Sequence, residues 1–194
     1  MKNPTLLAAW LLLLLASCRK ENASQNLSTP NNFQQYTILQ GQHYALENSI
    51  KPVETGEMKF VVRFDSSAIY KTVNPENQYD INKLFGFSDN GDQHHQFSAR
   101  LGWRWSDGAL RLFAYTYNNG SRDSKELCEI PIGIDVPCSI KVAGEVYQFT
   151  VNKSVVTMPR QSKSSLGKGY QLYPYFGGDE TAPHEIRIWI KEDR

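Results

Sequence analysis

From Phe33 onward, apolar and polar positions alternate with a period of two, and a helical spacing of apolar residues is nearly absent. Met58, Phe60, Val62 and Phe64 are separated by Lys59, Val61 and Arg63, and Asp65 follows. His184, Ile186, Ile188 and Ile190 alternate with Glu185, Arg187, Trp189 and Lys191, and Tyr147, Phe149 and Val151 share one face of a β-rich run. Turn residues punctuate these runs at Asn74–Asn77, Asp89–Asp92, Ser106–Gly108, Asn118–Gly120, Ala143–Glu145 and Gly177–Glu180. Many short strands without helices between them predict an all-β fold, an antiparallel β-sandwich. One segment, Tyr79–Phe85, reads as a short helical turn.

The densest patch is SARLGWRWSDGALRLFAYTY, Ser98 to Tyr117. Asp107-Gly108 between two alternating runs predicts a hairpin with a type I′ turn, which needs positive φ at both central residues. With that turn, Trp105 faces Leu110, Trp103 faces Leu112 and Leu101 faces Ala114, one apolar face bound for the core. The opposite face pairs Arg104 with Arg111, Gly102 with Phe113, Arg100 with Tyr115 and Ser98 with Tyr117. Phe113 would lie over the bare Gly102 backbone, and Arg100 would stack on Tyr115. Two arginines directly opposed are unfavourable and ask for an anion, either a carboxylate such as Asp80, Glu126 or Glu180 or a ligand. Extending the strand backwards adds His94 and Gln96 to this face. Rings for sugar CH surfaces and guanidinium groups for uronate or sulfate make it a candidate glycan site: His94, Arg100, Arg104, Arg111, Phe113, Tyr115 and Tyr117, with Tyr173 in support. The competing expectation is an ordinary exposed face whose arginines are neutralised internally.

Other stretches carry weaker chemistry. Gln171, Tyr173 and Tyr175 share a face, and Pro174 implies an edge or a bulge. Asp89 and Asp92 in one loop and Asp179 in another are candidate Ca²⁺ ligands without EF-hand spacing, so no cofactor is required. Adjacent strand residues His94 and His95 would point to opposite faces and could not chelate together. Cys128 and Cys138 are either a disulfide or two buried thiols.

The N-terminus sets the compartment. Lys2 precedes an apolar run, Leu6–Ala16, too short to span a hydrocarbon core of ~30 Å, as a signal-peptide core would be. The run ends in LASC, Leu15 to Cys18, which resembles the bacterial lipoprotein lipobox. That resemblance implies lipid attachment at Cys18 and removal of residues 1–17. Two or three acyl chains, at ~0.8 kcal/mol per buried CH₂, anchor firmly to a bilayer. Arg19, where such lipoproteins carry Asp for inner-membrane retention, permits placement in the outer membrane. Residues 18–32, poor in large apolar side chains, form a tether, leaving 33–194 as the β-sandwich domain. A net charge of +1 speaks against a nucleic-acid partner, and Tyr-rich composition suits a wet binding surface.

Strand alternation over 33–194, a late YQLYPYFGG strand and a closing HEIRIWIKE strand resemble the concanavalin-like jelly roll of lectins, laminin-G-like domains and the heparin- and alginate-lyase families. In the jelly-roll lyases a late YFK-G-Y strand helps bind and deprotonate the uronate. Here Tyr175-Phe176 is followed by Gly177-Gly178 without that Lys, and the R-x-E-x-R and Q-x-H strands of the alginate lyases are missing. The resulting expectation is a non-catalytic, membrane-anchored protein of the bacterial envelope that binds a polysaccharide or oligosaccharide. Its alternatives are a polysaccharide lyase using His94, Arg100, Tyr115 and Tyr175 for β-elimination, and a structural envelope component.

Overall fold

A computed structural model describes residues 32–193. The signal segment, Cys18 and the tether up to residue 31 lie outside the described residues. Twelve strands follow in chain order: β1 Gln34–Ile38, β2 Pro52–Thr55, β3 Glu57–Phe64, β4 Asn82–Ser88, β5 Phe97–Ser106, β6 Ala109–Asn118, β7 Ser121–Ile130, β8 Val136–Ala143, β9 Val146–Val151, β10 Ser154–Pro159, β11 Gly167–Leu172 and β12 Ile186–Asp193. They form two six-stranded sheets, ordered β1-β12-β3-β8-β9-β10 and β2-β11-β4-β5-β6-β7, with antiparallel pairing throughout. This is the all-β sandwich that the alternation predicted.

The hairpin has the expected register. Ser106 pairs Ala109, Trp103 pairs Leu112, Arg104 pairs Arg111 and Arg100 pairs Tyr115. Asp107 and Gly108 both take positive φ, 54° and 76°, as a type I′ turn requires. Leu101, Trp103, Leu112 and Ala114 are sealed between the sheets. There Trp103 meets Phe64, Tyr70 and Phe176 from other elements. Rings of 150–250 Å² each dominate such a core.

Two expectations change and one open alternative is decided. The Tyr79–Phe85 segment is not a helical turn: a 3-10 turn spans Pro75–Tyr79, and Asn82 onward is the central strand β4. Propensity at Asn74-Pro75 starts the turn, and Asn74 caps it by accepting from the Glu76 N–H; burial of Leu84, Phe85 and Phe87 then dictates strand. Cys128 and Cys138 are free thiols, not a disulfide. Burial pushes the Cys138 thiol upward in pKa, which makes it inert. Third, the bare face of Gly102 is filled by Ile81 and the Asn82 carbonyl, closer than Phe113, so the start of β4 and the residue before it, rather than a cross-strand ring, occupy that space.

Candidate functional site

The outer face of the second sheet is not uniform. At the turn end, Arg111 is neutralised by Glu126 at 2.8 Å and Glu129 at 2.9 Å. Arg104 lies over Phe113, 4.7 Å from the ring centroid, and donates to the Tyr79 carbonyl at 2.9 Å. The opposed arginines thus find their partners on β7 and the 3-10 turn. Arg104, Arg111 and Phe113 are outside the cleft described next, a correction to the sequence reading: the acidic strand beside β6 spends the charge internally.

Further along the same face lies a cleft of about 530 Å³. Its walls carry Arg100, Lys83 and Arg122, the rings of Tyr44, Tyr115, Tyr117, Tyr170, Tyr173 and Tyr175, and both His94 and His95. Among the described residues, no Asp or Glu lines it. Hence the expected residues His94, Arg100, Tyr115, Tyr117, Tyr173 and Tyr175 do come together.

Each side chain has a local reason for its place. Arg100 rises from the centre of β5 and is 6% exposed. It rests on the Tyr115 ring, 5.3 Å from the centroid. Among the described residues its guanidinium makes no hydrogen bond or ion pair, and its buried Nε has no partner. Burial pulls the guanidinium's pKa below its ordinary value, yet an arginine stays charged. Lys83 enters from β4, where the pairing shifts between Lys83 and Gly86. Its Nζ donates to the Gly177 carbonyl at 2.7 Å and sits over the Tyr115 and Tyr175 rings. Burial, then the charges of Arg100 and Arg122, pull its pKa from 10.5 to about 8.

Tyr175 is placed by a bridge to Lys83 beyond the end of β11, after Pro174 has stopped the strand. His43 stacks on it at 5.1 Å and Tyr44 meets it edge-on. Gly177, at φ 107°, leaves room for the Glu180 carbonyl and the His43 ring that a Cβ would hit.

His94 differs from expectation. β5 starts at Phe97, and residues 93–96 form a turn, because Gln96 N–H and Phe97 N–H both close onto the Gln93 carbonyl. His94 and His95 therefore do not point to opposite faces of a strand; their rings lie 4.1 Å apart, and both border the cleft. Nδ1 of His94 is 2.8 Å from the Tyr170 hydroxyl. Burial, with Arg100 and His95 adding, lowers its pKa to about 4, so it is a neutral base at physiological pH. Tyr115, buried and beside Tyr117, is held protonated with a pKa raised to about 12.

Two of the candidate Ca²⁺ ligands, Asp89 and Asp92, have their carboxylates bonded elsewhere. Asp89 is fully buried against Arg160, at 2.8 Å, and accepts from the Tyr147 hydroxyl at 2.6 Å. Burial alone would raise its pKa; the bonds from Arg160 and Tyr147 outweigh that and lower it. Asp92 accepts from the Asn90 side chain, and Asp179 lies at the Asp80 carboxylate through its backbone N–H. No cluster of three metal-ligating acidic, His or Cys side chains exists among the described residues.

Lys83, Arg122, Tyr170 and Tyr44 were absent from the sequence reading. The apolar LFGF run directly after Lys83 was the available signal for a buried strand, and hence for Lys83's place in it.

Two packed antiparallel sheets with an aromatic- and cation-lined cleft on one outer face define a concanavalin-like jelly roll. No family model and no curated protein matches the chain. Among solved structures, it is similar to the alginate lyase AlyC3 (TM-score 0.57, 10% identity, covering 83% of this chain and 74% of that one). The complex of AlyC3 with dimannuronate gives TM-score 0.53 at 9% identity, over 83% and 73% of the two chains. The catalytic domain of an endo-1,3-beta-glucanase (laminarinase) from Thermotoga petrophila RKU-1 gives TM-score 0.51 at 10% identity, over 84% and 76%. These likenesses establish the fold.

Proposed function

We propose that the chain is an exported lipoprotein of the bacterial envelope, anchored through Cys18, whose cleft binds an acidic glycan. One observation carries the binding reading: a buried guanidinium, Arg100, with no carboxylate of its own, in a cleft without acidic side chains. Burying a charge unpaired is expensive, and an anionic group arriving on Arg100 would supply the missing bonds. Tyr44 and Tyr117 offer ring surface to sugar CH groups, and a charge-complementary cleft speeds capture of a polyanion. The LASC motif, the apolar run before it and the tether after it support the anchor. The test is titration calorimetry with uronate oligosaccharides and uncharged glucans of equal length. Binding of the uronates alone is expected; equal binding of the glucans, or of neither class, contradicts the reading. Cys18→Ser would release the protein from the membrane fraction.

A second reading is favoured by His94. A neutral imidazole, its Nδ1 taken by Tyr170 and its Nε2 without a hydrogen-bond partner among the described residues, is suited to remove a proton next to a carboxylate neutralised by Arg100. In that β-elimination the C5 proton passes to His94, the C4–O bond breaks, and a tyrosine hydroxyl, Tyr175 or Tyr115, protonates the departing oxygen. The missing lyase motifs weigh against it. Ultraviolet absorbance from unsaturated uronates would establish it; a flat trace across alginate, heparin and pectin would leave binding alone.

A further inference from the structure

A second cleft, of about 690 Å³, adjoins the first. Asn48, Gln171 and Tyr173 line both, so the two meet along this short shared wall. The second cleft lies where the edge of the first sheet, at Tyr36 and Glu192, approaches β11. Its charge is of the other sign. Glu47 and Glu192 face it with one lysine, Lys51, whose Nζ bonds both Glu192 oxygens at 2.7 and 2.8 Å. Glu47 is held in place by the Thr37 N–H at 2.8 Å. Three cations and no carboxylate therefore stand beside one cation and two carboxylates.

We infer that the glycan bound here is a heteropolymer in which an acidic sugar adjoins an uncharged one, the acidic unit on Arg100 and Lys83 and the uncharged unit against Glu47 and Lys51. This rests on the acidic-glycan reading of the first cleft and adds the ligand's repeat. A homopolymer of uronates would bring a carboxylate to a wall with excess negative charge, and like charges brought together without bulk water between them discriminate strongly. An uncharged sugar meets there the hydroxyls and amides of Asn48, Ser49, Gln34 and Gln171, which pair well with sugar hydroxyls. Tyr173, shared by both clefts and backed by Tyr36 and Phe85, gives the crossing point a firm ring.

The experiment is calorimetric titration of the folded domain at 0.15 M salt with three hexasaccharides: mannuronate, galacturonate, and alternating glucuronate–N-acetylglucosamine. The alternating hexamer carries half the charge, so an ordinary cation-lined groove would bind it least. The inference predicts the reverse, a Kd about tenfold lower than for either homopolymer. Glu47→Gln, which keeps an acceptor for the Thr37 N–H, is expected to narrow that ratio about threefold or more, and Lys51→Gln to widen it. Thermal melts verify that both variants are folded. Homopolymers bound as tightly or more tightly overturn the heteropolymer inference and leave the acidic-glycan reading standing. A preference unchanged in both variants also overturns it, because the second cleft is then not its source. No binding of any hexamer overturns both readings.

Discussion

Arg111 and Arg100 stand on the same face of the same hairpin, and their surroundings are opposite. Arg111 has Glu126 and Glu129 within 3 Å, both from β7. Arg100 has one tyrosine ring and, among the described residues, no carboxylate. A third arginine, Arg160, completes the contrast: as buried as Arg100, it is fully engaged with Asp89, Ser162, Ser164 and the Leu166 carbonyl. Burial alone therefore does not mark a site. The mark is burial without compensation, since a fold that could have provided a carboxylate, as it did twice elsewhere, did not.

The comparison can be broken most forcefully at Arg160. Removing one member of a buried ion pair strands the other, at a cost of about 3–5 kcal/mol. Arg160→Met should lower the thermal midpoint steeply, whereas Arg100→Met should leave it unchanged or raise it, because no partner is orphaned. Similar losses in both would mean that Arg100 is structural. Next in size is the pH dependence of binding. Lys83 is charged below its pKa of about 8, so anion affinity should be highest below pH 8. It should then fall by up to about tenfold per pH unit above it, until the pH reaches the higher pKa that a bound anion confers. Lys83→Gln should abolish that fall. The sign for stability is opposite: between about 8 and 10.5 the unfolded chain holds the proton more tightly, so the free protein gains stability as pH rises. Melting curves from pH 7.5 to 10 in wild type and variant measure that difference. Smallest is Arg111→Gln, at an exposed pair, for which the Kd should stay within about twofold of wild type.

The hairpin was legible because its information is local. Asp107-Gly108 sets the turn, and a period of two then assigns every side chain from Ser98 to Tyr117 to a face. Which of those side chains face a ligand was not legible, because the deciding neighbours are remote in sequence. Glu126 and Glu129 reach Arg111 through the β6–β7 pairing. Lys83 reaches Arg100 because β4 pairs with β5, across a register shift that alternation does not show. The turn at 93–96 puts His95 beside His94, where a continued strand would have separated them. Asp89 resembled a calcium ligand in its loop until Arg160, seventy-one residues later, claimed it. Periodicity reports which face a residue occupies; it is silent about what stands opposite.

The most direct test is titration of a uronate hexasaccharide into wild type and Arg100→Met at 0.05 and 0.3 M salt, with thermal midpoints measured in parallel. The account predicts a wild-type affinity that weakens with salt, a loss of about 30-fold or more in the variant, and a variant at least as stable as the parent. Undiminished affinity in a folded Arg100→Met protein would contradict it.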